Sequence, residues 1–227
     1  MDYKKLVDVY EALGSTAKRL KKTAIIAELL KQANAADIQK LMLLLEGRVF
    51  PAWDQRELGV ADRLLIKAIA VSSGATSDKV EKEFARTGDL GLAAEALLKN
   101  RRQSTLTSRS LTITKVFDNI RKVAEFQGKG TVERKIQLIS ELLTIASAKE
   151  AKYIVRTISG NLRVGIGSGS IRDAIVWAFF GRELDLSYNE DDEAIEVKDR
   201  AEFDKHLDAV QSAYDLTNDF SVVAEAV

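Results

Sequence analysis

Apolar residues recur at the spacing of an α-helix along most of this 227-residue sequence. One such stripe consists of Leu6, Val9, Tyr10 and Leu13. Side chains three and four residues apart share one face of a helix, whereas no stretch here sustains the two-residue alternation of a half-buried strand. The single proline, Pro51, marks a loop because proline interrupts helices. The sequence therefore predicts an all-α domain of about ten to thirteen helices.

The charges balance overall but are segregated along the chain. Residues 183–227 hold 14 acidic and three basic side chains, so residues 1–182 hold the other 20 acidic and 31 basic ones. The body is thus about +11 and the tail about −11. A basic body favours a polyanionic partner such as nucleic acid. The alternative is that the lysines only solvate helix faces.

Several classes of protein are excluded by what the sequence lacks. It contains no cysteine, so disulfides and thiolate chemistry are excluded, and no apolar run approaches membrane-spanning length. His206 stands alone on an acidic helix, where we expect a solvated or lightly packed side chain. The acidic run at residues 190–193 reads as a solvated linker rather than a cation site. We expect no catalytic residues and no metal, and a cytoplasmic location.

The sequence indicates an internal duplication. A shift of 113 residues lays the run 28–47 over the run 141–160, with the triplet ELL and the closing glycines matched. A second block pairs Gly59-Val60 with Gly165-Ile166. We therefore expect a pseudo-twofold helical domain over residues 1–182, with halves at about 1–74 and 112–182 joined by 75–111. An acidic helical tail would follow at 183–227.

The stretch 160–170 (GNLRVGIGSGS) is the sharpest local feature. Its closely spaced glycines leave backbone amides uncovered, and an apolar helix starts directly behind it. Asn161 and Arg163 add a donor and a cation, so the stretch fits a phosphate-binding loop; the alternative is a flexible connection between helices. A dinucleotide-binding fingerprint is rejected, because a helical stripe precedes the glycines where that motif needs a strand.

Two basic helix starts accompany this loop. The first comprises Gly128, Lys129, Gly130, Thr131 and Lys135, with Thr131 at the N-cap. It is not a Walker A loop, because Val123 replaces the first glycine and Gly130 separates the lysine from the hydroxyl. The second lies at the equivalent place in the first half. Its members are Thr16, Lys18, Arg19, Lys22 and Thr23.

Two related halves would present two phosphate-binding edges, and a DNA duplex has two backbones. We therefore predict double-stranded DNA as the partner, bound through its backbone and without sequence preference. Single-strand binders need exposed stacking platforms, and aromatic residues are scarce here. Trp53 lies in the proline loop, and Trp177, Phe179 and Phe180 are expected in the core.

A family resemblance is carried by several stretches in a consistent order. They are RELGVA at 56–61, TGDLGLAAE at 87–95, Leu111-Thr112 with Val116-Phe117, Lys135-Ile136, and SGNLRVGIG at 159–167. Together they resemble the N-terminal DNA-binding domain of archaeal and eukaryotic ATP-dependent DNA ligases, with an archaeal character, over about residues 3–182. The tail, with AYDLTND at 213–219, resembles that family's lead-in to its adenylation domain.

The resemblance implies an all-helical, pseudo-symmetric, monomeric domain on the minor groove of nicked duplex DNA. It implies phosphate contacts at Gly160, Asn161, Arg163, Gly165 and Gly167. It also implies a parent enzyme that uses ATP and Mg²⁺ to seal nicks in replication, repair and recombination. The family's reactive lysine lies in a Lys-x-Asp-Gly motif that this sequence lacks, so we expect the chain to bind DNA without ligating it, and to need no cofactor of its own.

Archaeal members of that family also dock on the sliding clamp through a glutamine-led segment, and Gln103 and Leu106 occupy its place. The paired aromatic residues of that segment are missing here. The alternative function is therefore a helical protein-interaction scaffold that docks a partner such as the clamp. The location implied by the resemblance is the cytoplasm, at the nucleoid.

Overall fold

A computed structural model describes residues 1–99, 110–128 and 130–227. The predicted all-α class is confirmed, since these residues form twelve α-helices and one small hairpin of two three-residue strands. The helices are α1 (Tyr3–Gly14), α2 (Arg19–Lys31), α3 (Ile38–Leu45), α4 (Asp62–Ser73), α5 (Ser77–Thr87), α6 (Leu90–Lys99), α7 (Ile113–Glu125), α8 (Val132–Ile145), α9 (Ala148–Ile158), α10 (Ser168–Phe179), α11 (Arg200–Thr217) and α12 (Phe220–Ala226). The strands are β1 (Ser187–Asn189) and β2 (Ala194–Glu196).

The chain forms two compact units that interleave in sequence. Unit 1 comprises Met1–Val7, Gly47–Phe50 and Asp54–Leu162; unit 2 comprises Asp8–Glu46, Pro51–Trp53 and Arg163–Val227. Each unit therefore takes residues from both of the halves that the sequence repeat predicts. Among the described helices, none is both long and apolar enough to span a membrane.

Unit 1 is built around two helix pairs, α6 on α9 and α4 on α8, with α5 and α7 packed beside them. Helix α9 starts with a capping box, in which Ser147 Oγ accepts from the Glu150 N–H and the Glu150 carboxylate accepts from the Ser147 N–H at 2.8 Å. The helix ends at Ile158, and Gly160 beyond it adopts a φ of +69° that allows the Asn161 N–H to reach back to the Arg156 carbonyl at 2.9 Å. This arrangement is a Schellman cap.

A buried ion pair joins α6 to α9 within unit 1. The Asp89 carboxylate, 4% exposed, accepts from the Gly91 N–H at 2.8 Å and so caps the start of α6. The Arg156 guanidinium on α9 donates to the same carboxylate at 2.8 Å. Because a buried charge needs a partner, this contact fixes how the two helices meet.

Unit 2 is built on α2 packed against α10 and α3 packed against α12, with the hairpin and α11 after α10. The acidic tail predicted from the sequence is part of this core, since Phe203, Val210 and Phe220 are buried. Trp177 is buried as expected. Phe179, the last residue of α10, is 37% exposed, so the prediction that it lies in the core was wrong.

Candidate nucleic-acid interface

In unit 2, Lys22 of α2 holds the glycine loop that precedes α10. Its ammonium donates to the carbonyls of Val164 at 2.9 Å and Gly165 at 2.7 Å, and the side chain is almost fully buried. A buried ammonium needs such acceptors because desolvation penalises its charge. The contact therefore fixes the loop against the first turn of α2.

This contact orients the amides of the loop. A trans peptide directs its N–H opposite to its carbonyl, so the N–H groups of Gly165 and Ile166 point away from Lys22. Gly165 adopts a φ of +63°, and a Cβ there would lie 2.9 Å from the Lys22 Nζ. Glycine is thus required both for the backbone conformation and for the close approach of the lysine.

Unit 1 contains the same arrangement. Lys135 of α8 is buried, and its ammonium donates to the carbonyls of Leu58 at 2.7 Å and Gly59 at 3.3 Å. Gly59 adopts a φ of +58°, and a Cβ there would lie 3.1 Å from the Lys135 Nζ. Each lysine is the fourth residue of its helix. The two units therefore hold matching pairs of a lysine and a glycine loop.

Exposure alternates along the loop that the sequence singled out. Leu162 and Val164 are buried, whereas Asn161, Arg163 and Gly165 are exposed. Arg163 adopts a φ of +58°, in the left-handed region that disfavours a non-glycine residue. The backbone therefore turns the polar residues of this stretch to solvent while two apolar side chains anchor it.

The three helices that begin among the predicted site residues lack a side-chain cap. No side chain caps the first turn of α2, α8 or α10, and the first turns of α2 and α10 carry no acidic residue. Gly167, at the N-cap of α10, is exposed and extended. The uncapped N–H groups and the positive end of the helix dipole make such starts favourable for an anion.

The exposed start of α2 is rich in ion pairs. Arg19 donates to Asp173 at 2.6 Å, and Arg172 contacts the same carboxylate at 2.7 Å. Lys18 contacts Glu193, and the Lys21 ammonium lies 3.8 Å from Glu190. The Glu193 carboxylate raises the pKa of Lys18 through a hydrogen bond and the attraction of its charge. Lys18 and Arg19 keep more than half of their side-chain surface exposed.

The second predicted helix start lies in unit 1. Gly128 and Gly130 both adopt positive φ and are exposed, with no atom within 4 Å of a Cβ built on either. Thr131 occupies the predicted N-cap position of α8, but its hydroxyl donates to the Gly128 carbonyl at 2.9 Å and does not cap the helix. Lys129 lies outside the described residues.

The remaining predicted site residues are partly exposed, partly buried and partly outside the described residues. Gly160 serves as the helix cap described above, and Asn161 is exposed, with its side-chain amide donating to the Ser159 carbonyl at 3.0 Å. Thr16 accepts from the Lys18 N–H at 3.2 Å. Thr23 is fully buried, and its hydroxyl donates to the Arg19 carbonyl. A ligand at the surface does not reach Thr23 in this arrangement. Gln103 and Leu106 lie outside the described residues.

The loop at 54–59 is not among the site residues predicted from the sequence, although Lys135 donates to the Leu58 and Gly59 carbonyls within it. Arg56 donates to the Asp54 carboxylate at 2.5 Å and lies 4.3 Å above the Phe50 ring. The Arg56 hydrogen bonds lower the pKa of Asp54 to about 2. The available signal was the repeat itself, because Gly59 aligns with Gly165.

No metal site was predicted. Among residues 1–99, 110–128 and 130–227, no group of three or more His, Asp or Glu side chains is placed to hold a metal ion. His206 is half-buried, packs edge-on against Phe180 with ring centroids 4.4 Å apart, and lies 3.0 Å from the Glu202 carbonyl. The lightly packed histidine that the sequence predicted is confirmed.

A separate groove of about 610 Å³ lies along α8 in unit 1. Val71, Ile136 and Ile145 line it together with two glutamates, Glu133 and Glu141. This lining is apolar and acidic, which does not suit a phosphate. The described geometry therefore points to the lysine-held loops and helix starts as the candidate interface.

Comparison of the sequence with known proteins finds a matching family. Residues 2–176 match the family described as the DNA ligase N terminus. The chain is 45% identical over 179 residues to a DNA ligase of Methanobrevibacter smithii, which covers 79% of this chain and 32% of that protein. It is 39% identical over 215 residues to a DNA ligase of Methanosphaera stadtmanae, covering 92% of this chain and 38% of that protein.

A more distant relative matches nearly the whole chain. A DNA ligase of Thermococcus fumicolans is 36% identical over 225 residues, which is 99% of this chain and 36% of that protein. The match therefore includes the acidic tail as well as the body. The chain spans about a third of the length of the curated relatives it matches.

Proposed function

The chain belongs to the DNA ligase N-terminal family, and we propose that it binds the phosphate backbones of nicked duplex DNA as the DNA-binding domain of an ATP-dependent ligase. The parent enzyme would seal nicks in replication, repair and recombination, using ATP and Mg²⁺. This chain would bind the DNA and would supply no catalytic residue for the ligation reaction. It would act as a monomer in the cytoplasm, at the nucleoid.

The observation that carries the proposal is the matching pair of lysine-held loops. Lys22 with Gly165 in unit 2 and Lys135 with Gly59 in unit 1 set the same backbone geometry twice. Each unit would present one edge of outward amides and cations, and a duplex offers two backbones. We propose that both edges bind phosphates, which the uncapped helix starts favour.

These pairs also support the proposed duplication, with exchanged partners. Lys22 and Lys135 are separated by the 113 residues of the repeat, and each holds the loop of the other half. In this view Lys22, Lys135 and Thr23 position the backbone. Direct phosphate contacts would come from exposed groups, namely the loop amides, Arg163, Lys18 and Arg19.

The proposed binding is independent of base sequence. Phosphate contacts hold a protein on DNA without reading bases, and the cations here lie at loops and helix starts. Clamp docking through Gln103 and Leu106 remains a prediction about residues outside the described ranges.

Fluorescence anisotropy with a labelled nicked duplex tests the proposal. We expect micromolar binding at about 50 mM salt and a steep loss of affinity as salt rises. Arg163→Glu and Arg134→Glu each alter one edge and should weaken binding about tenfold on any sequence, with a salt slope shallower by about 1. Arg86→Glu, on exposed α5, is the control for a change of net charge. Absence of binding at low salt, or an effect confined to one sequence, contradicts the proposal.

A further inference from the structure

Four consecutive carboxylates form the loop of the β1–β2 hairpin and lie against the basic start of α2. Glu193 contacts the Lys18 ammonium, and Glu190 lies 3.8 Å from the Lys21 ammonium. We propose that this acidic loop competes with DNA phosphates for the start of α2, so that DNA binding at this edge releases Lys18 and Lys21 from the hairpin. This inference rests on the proposed function, because it describes the regulation of the same edge.

Contacts within the hairpin and with α10 hold its loop in place. The strands pair with Tyr188 opposite Ile195, and the Tyr188 ring packs 5.9 Å from the ring of buried Trp177 on α10. At the tip, the Asn189 side-chain oxygen accepts from the backbone N–H groups of Asp191 at 2.9 Å and Asp192 at 3.3 Å. The base of the hairpin is therefore anchored in unit 2 while its four carboxylates project from an ordered turn.

The ion pairs themselves are exposed and so can be exchanged. The side chains of Lys18 and Glu193 are 56% and 42% exposed, and those of Lys21 and Glu190 are 41% and 71% exposed. Exposed pairs are weak and are screened by salt. A phosphate presents the same charge as a carboxylate and accepts the same hydrogen bonds. DNA can therefore displace the loop, which makes the contact a competitor and not a permanent block.

Among the described residues, no hairpin carboxylate contacts the corresponding helix start in unit 1. Arg134 of α8 occupies the place of Lys21 in the repeat, and within the part of the chain that the structure describes it forms no ion pair with a carboxylate. The proposed competition therefore acts on the unit 2 edge alone. The unit 1 edge serves as an internal reference for the experiment.

The test is the double substitution Glu190→Gln with Glu193→Gln, measured by anisotropy with a labelled nicked duplex. Both changes keep the length of the side chain and remove its charge. We expect the variant to bind about fivefold more tightly at about 50 mM salt. The slope of log affinity against log salt should also become steeper by about 1 to 2. In the unmodified chain the two released carboxylates take up cations, which offsets the counterions that DNA releases, and the variant lacks those carboxylates.

A matched control removes two charges elsewhere in unit 2. Asp204→Asn with Asp208→Asn changes two exposed carboxylates on α11 and leaves the hairpin intact. If the control tightens binding as much as the hairpin variant, a general charge effect accounts for the result and the inference is wrong. If wild type binds DNA and the hairpin variant binds no more tightly, the inference is also wrong. If neither protein binds DNA at low salt, the proposed function fails instead.

A second measurement does not depend on any variant. In ¹H–¹⁵N spectra of the unmodified chain, addition of the nicked duplex should shift the amide signals of residues 190–193 together with those of Lys18 and Lys21. Shifts at the start of α2 with no change in the hairpin loop would show that the lysines bind DNA without releasing it, and would overturn the inference.

Discussion

The Lys22 ammonium donates a hydrogen bond of 2.7 Å to the carbonyl of Gly165, 143 residues further along the chain. The bond joins the first turn of α2 to the loop before α10 and sets which way the loop amides point. Lys135 and Gly59 repeat it in unit 1. Because each ammonium bonds to carbonyls, we propose that these lysines affect DNA binding only through the loops they position.

Substitution of either lysine tests that positioning role. Lys22→Met and Lys135→Met should each lower the free energy of unfolding by about 2 kcal/mol, because two carbonyls lose a charged donor. Each should also weaken DNA binding while leaving its salt slope nearly unchanged, since the ammonium itself does not face phosphate. Urea unfolding and anisotropy are the measurements, with exposed Lys82→Met on α5 as the control. A slope that falls by about 1 for Lys22→Met would instead indicate a direct phosphate contact.

The two loop glycines make a parallel prediction. Gly165→Ala and Gly59→Ala should each destabilise the protein by about 1–2 kcal/mol, because an alanine is strained at positive φ and its Cβ approaches the lysine. Gly14→Ala is the control, since Gly14 ends α1 with nothing within 4 Å of a Cβ. Equal stability of all three variants in urea would contradict this account of the loops.

A titration tests the Asp54–Arg56 pair. The Arg56 hydrogen bonds lower the pKa of Asp54 from 3.8 to about 2. The stabilisation from the pair is therefore present above the unfolded-state pKa and is lost as the pH falls through about 2. In Arg56→Gln the pKa should return toward its ordinary value, whereas Arg63→Gln on α4 should leave it unchanged. A carboxyl carbon NMR titration measures both, and an Asp54 pKa near 3.8 in the unmodified chain would be the contrary result.

Much of the helical fold was predictable because the residues that pack into the core recur along the sequence at the spacing of an α-helix. The buried residues of α7 include Ile113, Val116, Phe117 and Ile120, which share one face at helical spacing. The loop at 160–169 was predictable for a similar reason, since glycine density and polar alternation are local properties. The acidic tail was predicted as helical, and α11 and α12 confirm it.

The pairing between distant segments was not predictable from local pattern. Nothing near Lys22 in the sequence indicates that its ammonium meets the loop of the other half, so the sequence predicts a phosphate ligand there. Thr23 offers a hydroxyl in the same stretch, but the structure places it on the buried face of α2. In the sequence, a buried lysine that holds a loop cannot be distinguished from an exposed lysine that binds phosphate.

The hairpin was missed for a different reason. Strands of three residues are too short to display a two-residue period, and the carboxylates at 190–193 resemble a solvated linker. The contacts of Glu193 with Lys18 and of Tyr188 with Trp177 fold this segment onto unit 2. Such contacts depend on tertiary structure and leave no mark on local composition.

We propose that two phosphate-binding edges, one in each unit, hold the two backbones of a duplex. A hydroxyl-radical footprint of the chain on a nicked duplex, with each strand labelled in turn, distinguishes two edges from one. We expect one protected stretch on each strand and the same pattern around a nick in an unrelated sequence. Protection of a single strand, or protection that follows a base sequence instead of the nick, would show that the proposal is wrong.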